Sequence, residues 1–324
     1  MFEFSLGKEP QSQGSSGGLY DVVIIGSGPA GLTSAIYTSR DGLKTLVLEK
    51  ATAGGLVATT ELVENYPGFP EGVAGSELME LFHKQAERFG TEVVEFEEVE
   101  QVEPVEPGLI KVHTGAGEVY EGKTLIVATG SESKKLGVPG EKEFYGRGVS
   151  YCATCDGPLF RGKDVVIVGA GNSGLQEGSI MLGYVKSLTI VEFLPTSKAE
   201  KILQDRVFGH EKTTLHFNHM LTEIKGEKVA TGVVVKDRET GEEREIPTDG
   251  VFIYVGYAPY TQFLSGLLEL NRFGYIVTDT HTRTSVPGIF AAGDVRADNL
   301  AQIAVAVGDG AKAAVAVREY LLEL

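Results

Sequence analysis

Cysteine is nearly absent. The 324 residues include only Cys152 and Cys155. A secreted disulfide framework would carry more cysteines at wider spacing, and a pair two residues apart staples nothing distant. A catalytic dithiol in a reducing cytoplasm fits this usage, so the expected location is cytoplasmic. Positive charge is also scarce. Lys and Arg number 29 against 45 Asp and Glu, a formal net charge of −16. Nucleic acid and anionic membrane surfaces need a basic footprint, so neither is expected as a partner. The acidity serves solubility or suits a partner protein with a basic patch. No uninterrupted run of about 18 apolar residues occurs, so no membrane-spanning helix is expected. Residues 1–19 are polar, rich in Gly and Ser, and lack the apolar centre of a secretory signal. They read as a flexible tail, part of it a cloning remnant.

Glycine, in contrast, is plentiful at 42 residues, and the length suggests about two domains. Asp21 to Ile25 is a short apolar run rich in β-branched residues, the mark of a buried parallel strand. Gly26-Ser-Gly-Pro-Ala-Gly31 follows at once, then a helical stretch over 29–40 and a second strand from Lys44 to Leu48 that ends at Glu49. A helix is predicted over 75–89, with strands at 92–95, 109–113 and 124–128. The pattern then repeats. Asp164 to Val168 is a buried strand, Gly169-Ala-Gly-Asn-Ser-Gly174 follows, and after a helix the strand Leu188 to Val191 ends at Glu192. In both units the terminal Glu stands 18 residues past the third glycine. This is an internal repeat of two nucleotide sites. A further strand is predicted over 251–255 and a closing helix over 302–321.

Each residue type in the repeat has a physical task. The first glycine (Gly26, Gly169) permits a tight turn, and the second (Gly28, Gly171) lets backbone approach a pyrophosphate. The third (Gly31, Gly174) lets the helix pack close to the strand. The phosphate then meets the unpaired N–H groups and the positive dipole end of the helix, which Pro29 opens in the first unit and Asn172 and Ser173 open in the second. The acid, Glu49 or Glu192, accepts a hydrogen bond from a ribose hydroxyl. Glycine-rich turns with no ligand are the plainer alternative for both units.

Cys152 and Cys155 sit in Ser150-Tyr-Cys-Ala-Thr-Cys-Asp156. A Cys-x-x-Cys pair cycles between dithiol and disulfide. Half of a zinc site is the alternative, but structural zinc takes four ligands, and His216 with His219 is the only close histidine pair. Those histidines read as ordinary surface or strand residues, and no metal is expected. Asp156 can exchange a proton with a leaving or attacking sulfur, or be a helix cap or turn residue.

The sequence resembles the low-molecular-weight thioredoxin reductases, FAD-dependent pyridine nucleotide-disulfide oxidoreductases. The residues that carry this are Gly-Ser-Gly-Pro-Ala-Gly31, Glu64-Asn-Tyr-Pro-Gly-Phe-Pro70, Cys-Ala-Thr-Cys-Asp156 and Thr284-Ser-Val-Pro-Gly-Ile-Phe-Ala-Ala-Gly-Asp294, in order from about residue 20 to the C-terminus. The resemblance implies an α/β fold of two Rossmann-like three-layer nucleotide-binding domains, the second inserted into the first. Residues 20–127 and 256–324 would form a discontinuous FAD domain, and 128–255 a dinucleotide domain carrying the redox-active pair. It implies FAD contacts from Gly26, Gly28, Pro29, Gly31, Glu49, Lys50, Asn65, Thr129, Gly130, Gly293, Asp294 and Gln302. The nicotinamide dinucleotide would fall to Gly169, Gly171, Asn172, Ser173, Gly174 and Glu192. Cys155 would face the flavin and Cys152 would attack the protein substrate. The expected enzyme is a thioredoxin-disulfide reductase, a homodimer acting on a thioredoxin-like protein.

One departure bears on the donor. NADPH enzymes of this family carry a His-Arg-Arg run and a further Arg after the second unit's last strand. Here the stretch reads Val191-Glu-Phe-Leu-Pro-Thr-Ser-Lys198, in which Lys198 is the only cation. NADH is therefore favoured over NADPH, and ferredoxin or a reduced deazaflavin is the alternative donor. A redox-sensing flavoprotein without turnover is a further alternative, against which the intact cysteine pair argues.

Overall fold

The computed structural model describes residues 18–324; apart from Gly18 and Leu19, the expected tail over 1–19 lies outside the described residues. The chain divides into two compact units. One joins the described residues through Ala58 with Leu62–Gly130 and Pro259–Leu324; the other comprises Thr59–Glu61 and Ser131–Ala258.

In the first unit, Glu92–Val94, Thr45–Leu48, Tyr20–Ile25 and Val119–Val127 lie side by side in parallel. Ile289–Ala291 pairs in parallel with the end of Val119–Val127, and Leu109–Thr114 and Val99–Glu106 continue the sheet antiparallel. The central strand lacks polar alternation because both its faces are buried. Val22 and Ile24 face the helices Pro29–Arg40, Gly75–Arg88 and Ile303–Glu323, while Val23 and Ile25 face Val99, Val102, Ile110 and Leu264 on the other side. The first and last helices pack closely through small residues. A Cβ on Gly310 would lie 2.3 Å from the Ala30 carbonyl oxygen, and the Ser34 hydroxyl donates to the Gly310 carbonyl at 3.1 Å. Ile25 is in register with Leu48 and Val127, and Val127 with Ala291. Gly26, Glu49, Ala128 and Ala292 therefore leave the sheet at one carboxyl edge, where ligands of such sheets bind.

The second unit repeats this logic. Thr213–Phe217, Ser187–Glu192, Asp164–Val168, Gly250–Ile253 and Val149–Ser150 form a parallel sheet in that order. Val165 and Ile167 pack on the helices Asn172–Met181 and Lys201–Phe208. Val166 and Val168 pack on Leu221, Ile224, Val233 and Val235 from an antiparallel sheet of His219–Gly226, Ala230–Asp237 and Glu243–Pro247. Val168 is in register with Val191 and Ile253, so Gly169, Glu192 and Tyr254 share an edge. The fold is thus two Rossmann-like α/β domains, the second inserted into the first.

Boundaries differ from expectation where a tertiary partner extends or ends an element. The strand expected at 124–128 is the end of Val119–Val127, whose polar first half pairs with Leu109–Thr114. The strand expected at 251–255 stops at Ile253. The edge strand Val99–Glu106 buries only Val99 and Val102 and gave no apolar signal.

Candidate functional site

The first glycine turn is sterically obligatory. Gly26 has φ +100°, and a Cβ there would lie 2.4 Å from the Ala128 carbonyl oxygen. A Cβ on Gly31 would lie 1.9 Å from the Gly26 carbonyl oxygen, whereas around Gly28 there is open space. Gly28 is the N-cap of helix Pro29–Arg40 and no side chain caps it. An open approach to an uncapped helix N-terminus is what a pyrophosphate requires. Glu49 is buried. Its Oε2 accepts the Ser27 N–H at 2.9 Å and the Ser27 hydroxyl at 2.7 Å, and its Oε1 accepts the Ala51 N–H at 3.0 Å. A cleft lined by Gly26, Glu49, Lys50, Glu97, Thr129 and Tyr260 opens beside it. The Lys50 ammonium lies 3.7 Å from the Tyr260 ring centre. The Thr129 hydroxyl donates to the Tyr260 carbonyl at 2.7 Å, and Gly130 at φ +63° accepts the Tyr260 N–H at 3.2 Å.

Four further candidates lie in the same unit. The Asn65 side-chain amide donates to the Gln302 side chain at 3.1 Å, and Gln302 is the N-cap residue of helix Ile303–Glu323. Gly293 lies against the first helix, since a Cβ there would be 2.8 Å from the Ala30 Cβ. Asp294 follows it, and its Oδ1 is buried with no hydrogen-bond partner among the described residues. Burial, then the Asp309 carboxylate, pushes the Asp294 carboxyl up to about 6. A buried orphan acceptor calls for a donor from a ligand. These features fit a bound FAD: an open pyrophosphate cradle, a buried acid at the second strand's end, and an acceptor awaiting a hydroxyl.

Sequence reasoning missed the polar cluster next to Asp294. Asp309, buried in the last helix, pairs with Arg296 at 2.6 Å and accepts from the Gly293 N–H at 3.3 Å and from the Asn299 amide at 3.0 Å. The available signal was an acid between two glycines, Gly308-Asp309-Gly310, inside an Ala-rich helix.

The second turn has the same steric design. A Cβ on Gly169, at φ +106°, would lie 2.1 Å from the Tyr254 carbonyl oxygen. One on Gly174 would lie 2.0 Å from that of Gly169, and Gly171 again faces open space. Glu192 is buried, with Oε2 accepting the Ala170 N–H at 2.6 Å and Oε1 the Leu194 N–H at 2.8 Å. Asn172 exchanges two hydrogen bonds with Glu200, at 3.2 and 2.8 Å, and the Tyr257 hydroxyl reaches that of Ser173 at 3.4 Å. One cation was missed. Arg238, just past strand Ala230–Asp237, lies 3.6 Å over the ring of Phe193 and donates to the Phe193 carbonyl at 2.9 Å. Lys198 is therefore not alone near this edge; no local sequence signal links positions 193 and 238.

The cysteines form a disulfide, with sulfurs 2.05 Å apart. Cys152 is partly buried and Cys155 exposed. Cys152 caps the short helix Ala153–Asp156: its sulfur accepts the Cys155 N–H at 3.2 Å. Asp156 is the last residue of that helix and its side chain caps nothing. Its carboxylate accepts the Ser150 hydroxyl at 2.6 Å, and Ser150 Oγ accepts the Cys152 N–H at 3.0 Å. His216 and His219 lie on consecutive strands of different sheets and both contact Arg244. Burial first, then Arg244, pushes the His216 imidazole down to about 4. No cluster of three or more potential metal-binding side chains occurs among the described residues.

Two nucleotide cradles and a redox-active Cys-x-x-Cys in one chain define a class. Residues 20–310 match the pyridine nucleotide-disulphide oxidoreductase family, and the chain belongs to it. The thioredoxin reductase of Bacillus subtilis (strain 168) is 46% identical over 309 residues, covering 94% of this chain and 96% of that one. The crystal structure of Lactococcus lactis thioredoxin reductase (FR conformation) superposes with a TM-score of 0.91 at 42% identity, covering 94% of this chain and 100% of that one. That of T. acidophilum thioredoxin reductase gives 0.89 at 45% identity, covering 94% and 99%. Within the family the chain falls among the low-molecular-weight thioredoxin reductases, FAD-dependent enzymes that act on a disulfide.

Proposed function

We propose that electrons pass from a nicotinamide dinucleotide through FAD to the Cys152–Cys155 disulfide, and from Cys152 to an oxidised thioredoxin-like protein. The observation that carries this reading is the disulfide itself, built on the second nucleotide-binding sheet and joined through Ser150 to a carboxylate. Residues 20–127 and 256–324 are the FAD-holding part, and 128–255 the part for the donor and the disulfide.

FAD, when bound, supplies a two-electron relay between donor and disulfide. Gly26, Gly28, Pro29 and Gly31 would cradle its pyrophosphate, and Glu49 and Lys50 would receive its adenosine end. Thr129, Gly130, Asn65, Gly293, Asp294 and Gln302 would bind the remainder. Cys155 would be the sulfur on the flavin side, and Cys152 the nucleophile toward the substrate disulfide. Asp156, bonded to the Ser150 hydroxyl, holds the proton exchanged with the departing sulfur.

For the donor, Gly169, Gly171, Asn172, Ser173 and Gly174 form the cradle, and Glu192 stands where a ribose hydroxyl donates. An acid there suits NADH and disfavours a 2′-phosphate. The Phe193–Arg238 pair offers a flat, cationic shelf. A second reading, a ferredoxin donor, is supported by a 30% identical relative, the ferredoxin-flavin thioredoxin reductase from Clostridium acetobutylicum, whose structure gives a TM-score of 0.51 over 94% of this chain and 99% of that one. The cytoplasm is the expected location and a homodimer the expected assembly, the latter checked by light scattering on the purified protein.

The test is anaerobic. The yellow protein is mixed in turn with NADH, NADPH and reduced ferredoxin while flavin absorbance is followed, then with oxidised thioredoxin. Cys152→Ser and Cys155→Ser should each lower thioredoxin turnover at least about a hundredfold, about 2.7 kcal/mol in the barrier, with flavin retained. Near-normal turnover in either variant overturns the reading.

A further inference from the structure

The two residues between the cysteines have their backbone amides held from below by the nucleotide-binding core of the same unit. The Ala153 N–H donates to the Tyr254 hydroxyl at 2.8 Å. The Thr154 N–H and hydroxyl reach Glu177 Oε2 at 3.1 and 3.4 Å. Tyr254 follows strand Gly250–Ile253, and Glu177 lies within helix Asn172–Met181, which starts at the second glycine turn. None of the steps proposed above uses either side chain. We propose that Glu177 is a positioning residue of the disulfide chemistry: its carboxylate fixes the Ala153–Asp156 turn and, as a negative charge beneath it, makes the Cys152–Cys155 dithiol a stronger reductant.

The direction follows from what a thiolate needs. Free amides at the start of a helical turn stabilise a thiolate and thereby the reduced state of a Cys-x-x-Cys pair, which makes its disulfide more oxidising. Here Tyr254 and Glu177 occupy two of those amides, those of Ala153 and Thr154, and only the Cys155 N–H is left to the Cys152 sulfur. The carboxylate also repels a thiolate as a like charge. Both effects weigh against the reduced form, so the dithiol gives up its electrons more readily. Glu177 neither gives nor takes electrons. On reduction the S–S bond breaks as an electron pair enters from the flavin, and the sulfurs take up the protons.

The charged and titratable groups around Glu177 are few. The Tyr254 phenol lies against it, and burial, then Glu177, raises that phenol well above its ordinary range, so it remains a donor. Glu61 faces it from the Thr59–Glu61 segment, and Asp156 is tied to Ser150. The Glu177 carboxyl is raised on balance: burial pushes it up, the Thr154 and Ala153 hydrogen bonds offset part of this and keep the charged form in play, and Glu61 adds a smaller push upward.

The inference rests on the reading that this disulfide carries the electrons, and its test is separable from the test of that reading. The full chain with FAD bound is equilibrated in graded dithiothreitol redox buffers, and the cysteine state is read by alkylation and mass. Glu177→Gln should favour the reduced state by about tenfold, equivalent to about 30 mV for this two-electron couple. It should also move the pH profile of thiol alkylation to lower pH. Glu177→Asp, which keeps the charge, should stay closer to the parent. Tyr254→Phe, which frees the Ala153 amide and leaves the charge, should shift in the same direction by less, and it serves if Glu177→Gln does not fold. An unchanged equilibrium in Glu177→Gln, an equal shift in the Gln and Asp variants, or no upward shift in Tyr254→Phe overturns the inference. Thioredoxin turnover that survives loss of either cysteine would instead overturn the reading beneath it.

Discussion

Asp294→Asn separates flavin binding from stability in a way that only its burial explains. In the flavin-free protein the carboxyl rises from 3.8 to about 6, so the ionised form carries about 3 kcal/mol of unfavourable free energy at most. Below about pH 4 the acid is protonated in both folded and unfolded chains, and nothing is lost. As pH climbs through about 6 the folded chain must ionise a buried group with no donor on Oδ1, and stability falls. Asparagine removes the charge. The flavin-free variant should therefore melt several degrees above the parent at pH 7.5 and no higher than it near pH 4. With FAD the order reverses, because a donated hydrogen bond to a buried carboxylate is worth about 1.5–3 kcal/mol. Affinity should drop about tenfold to hundredfold, read by quenching of FAD fluorescence on titration with deflavinated protein. Unchanged FAD affinity, or a stability gain equal at both pH values, refutes the reasoning.

The two glycine turns should fail differently. Gly31→Ala puts a methyl 1.9 Å from the Gly26 carbonyl and should yield flavin-free, unstable protein. Gly174→Ala, with a contact of 2.0 Å to Gly169, should keep its yellow colour and lose reduction by a nicotinamide donor; stopped-flow flavin bleaching distinguishes them. NADH should have the higher kcat/KM of the two nicotinamides, and equal or better use of NADPH sinks the argument from Glu192. Arg238→Ala should raise the KM for NADH about 3- to 30-fold through loss of the stacked cation; an unchanged KM removes the Phe193–Arg238 shelf from the donor site.

Local repeats made the two nucleotide units legible. The strand–turn–helix pattern and its distant Glu carry their signal within about thirty residues, and short-range sterics at Gly26 and Gly31 enforce it. What depends on distant chain segments was hidden. Arg238 meets Phe193 through a turn 45 residues later, and Tyr254 and Glu177 converge on the cysteines from a strand end and a helix. The edge strand Val99–Glu106 was invisible because its exposed face is charged and only two side chains enter the core. Asp156 shows the limit within a motif. Sequence gives an acid after the cysteine, but whether it caps a helix or receives the Ser150 hydroxyl depends on how the turn closes.

The close seam between the first and last helices has a consequence for how the enzyme is made. Ala30 and Ser34 meet Gly310 without room for a methyl, and strand Ile289–Ala291 completes the parallel sheet alongside Val119–Val127. The ribosome delivers these pieces after all of the second unit, which ends at Ala258. Domains fold as units as they emerge, so the disulfide-bearing unit is expected to mature while the first unit still lacks a wall. Under the proposed placement of FAD in that first unit, flavin capture is expected to close biogenesis, and a chain stalled a few turns early would carry its thiols without the cofactor that serves them.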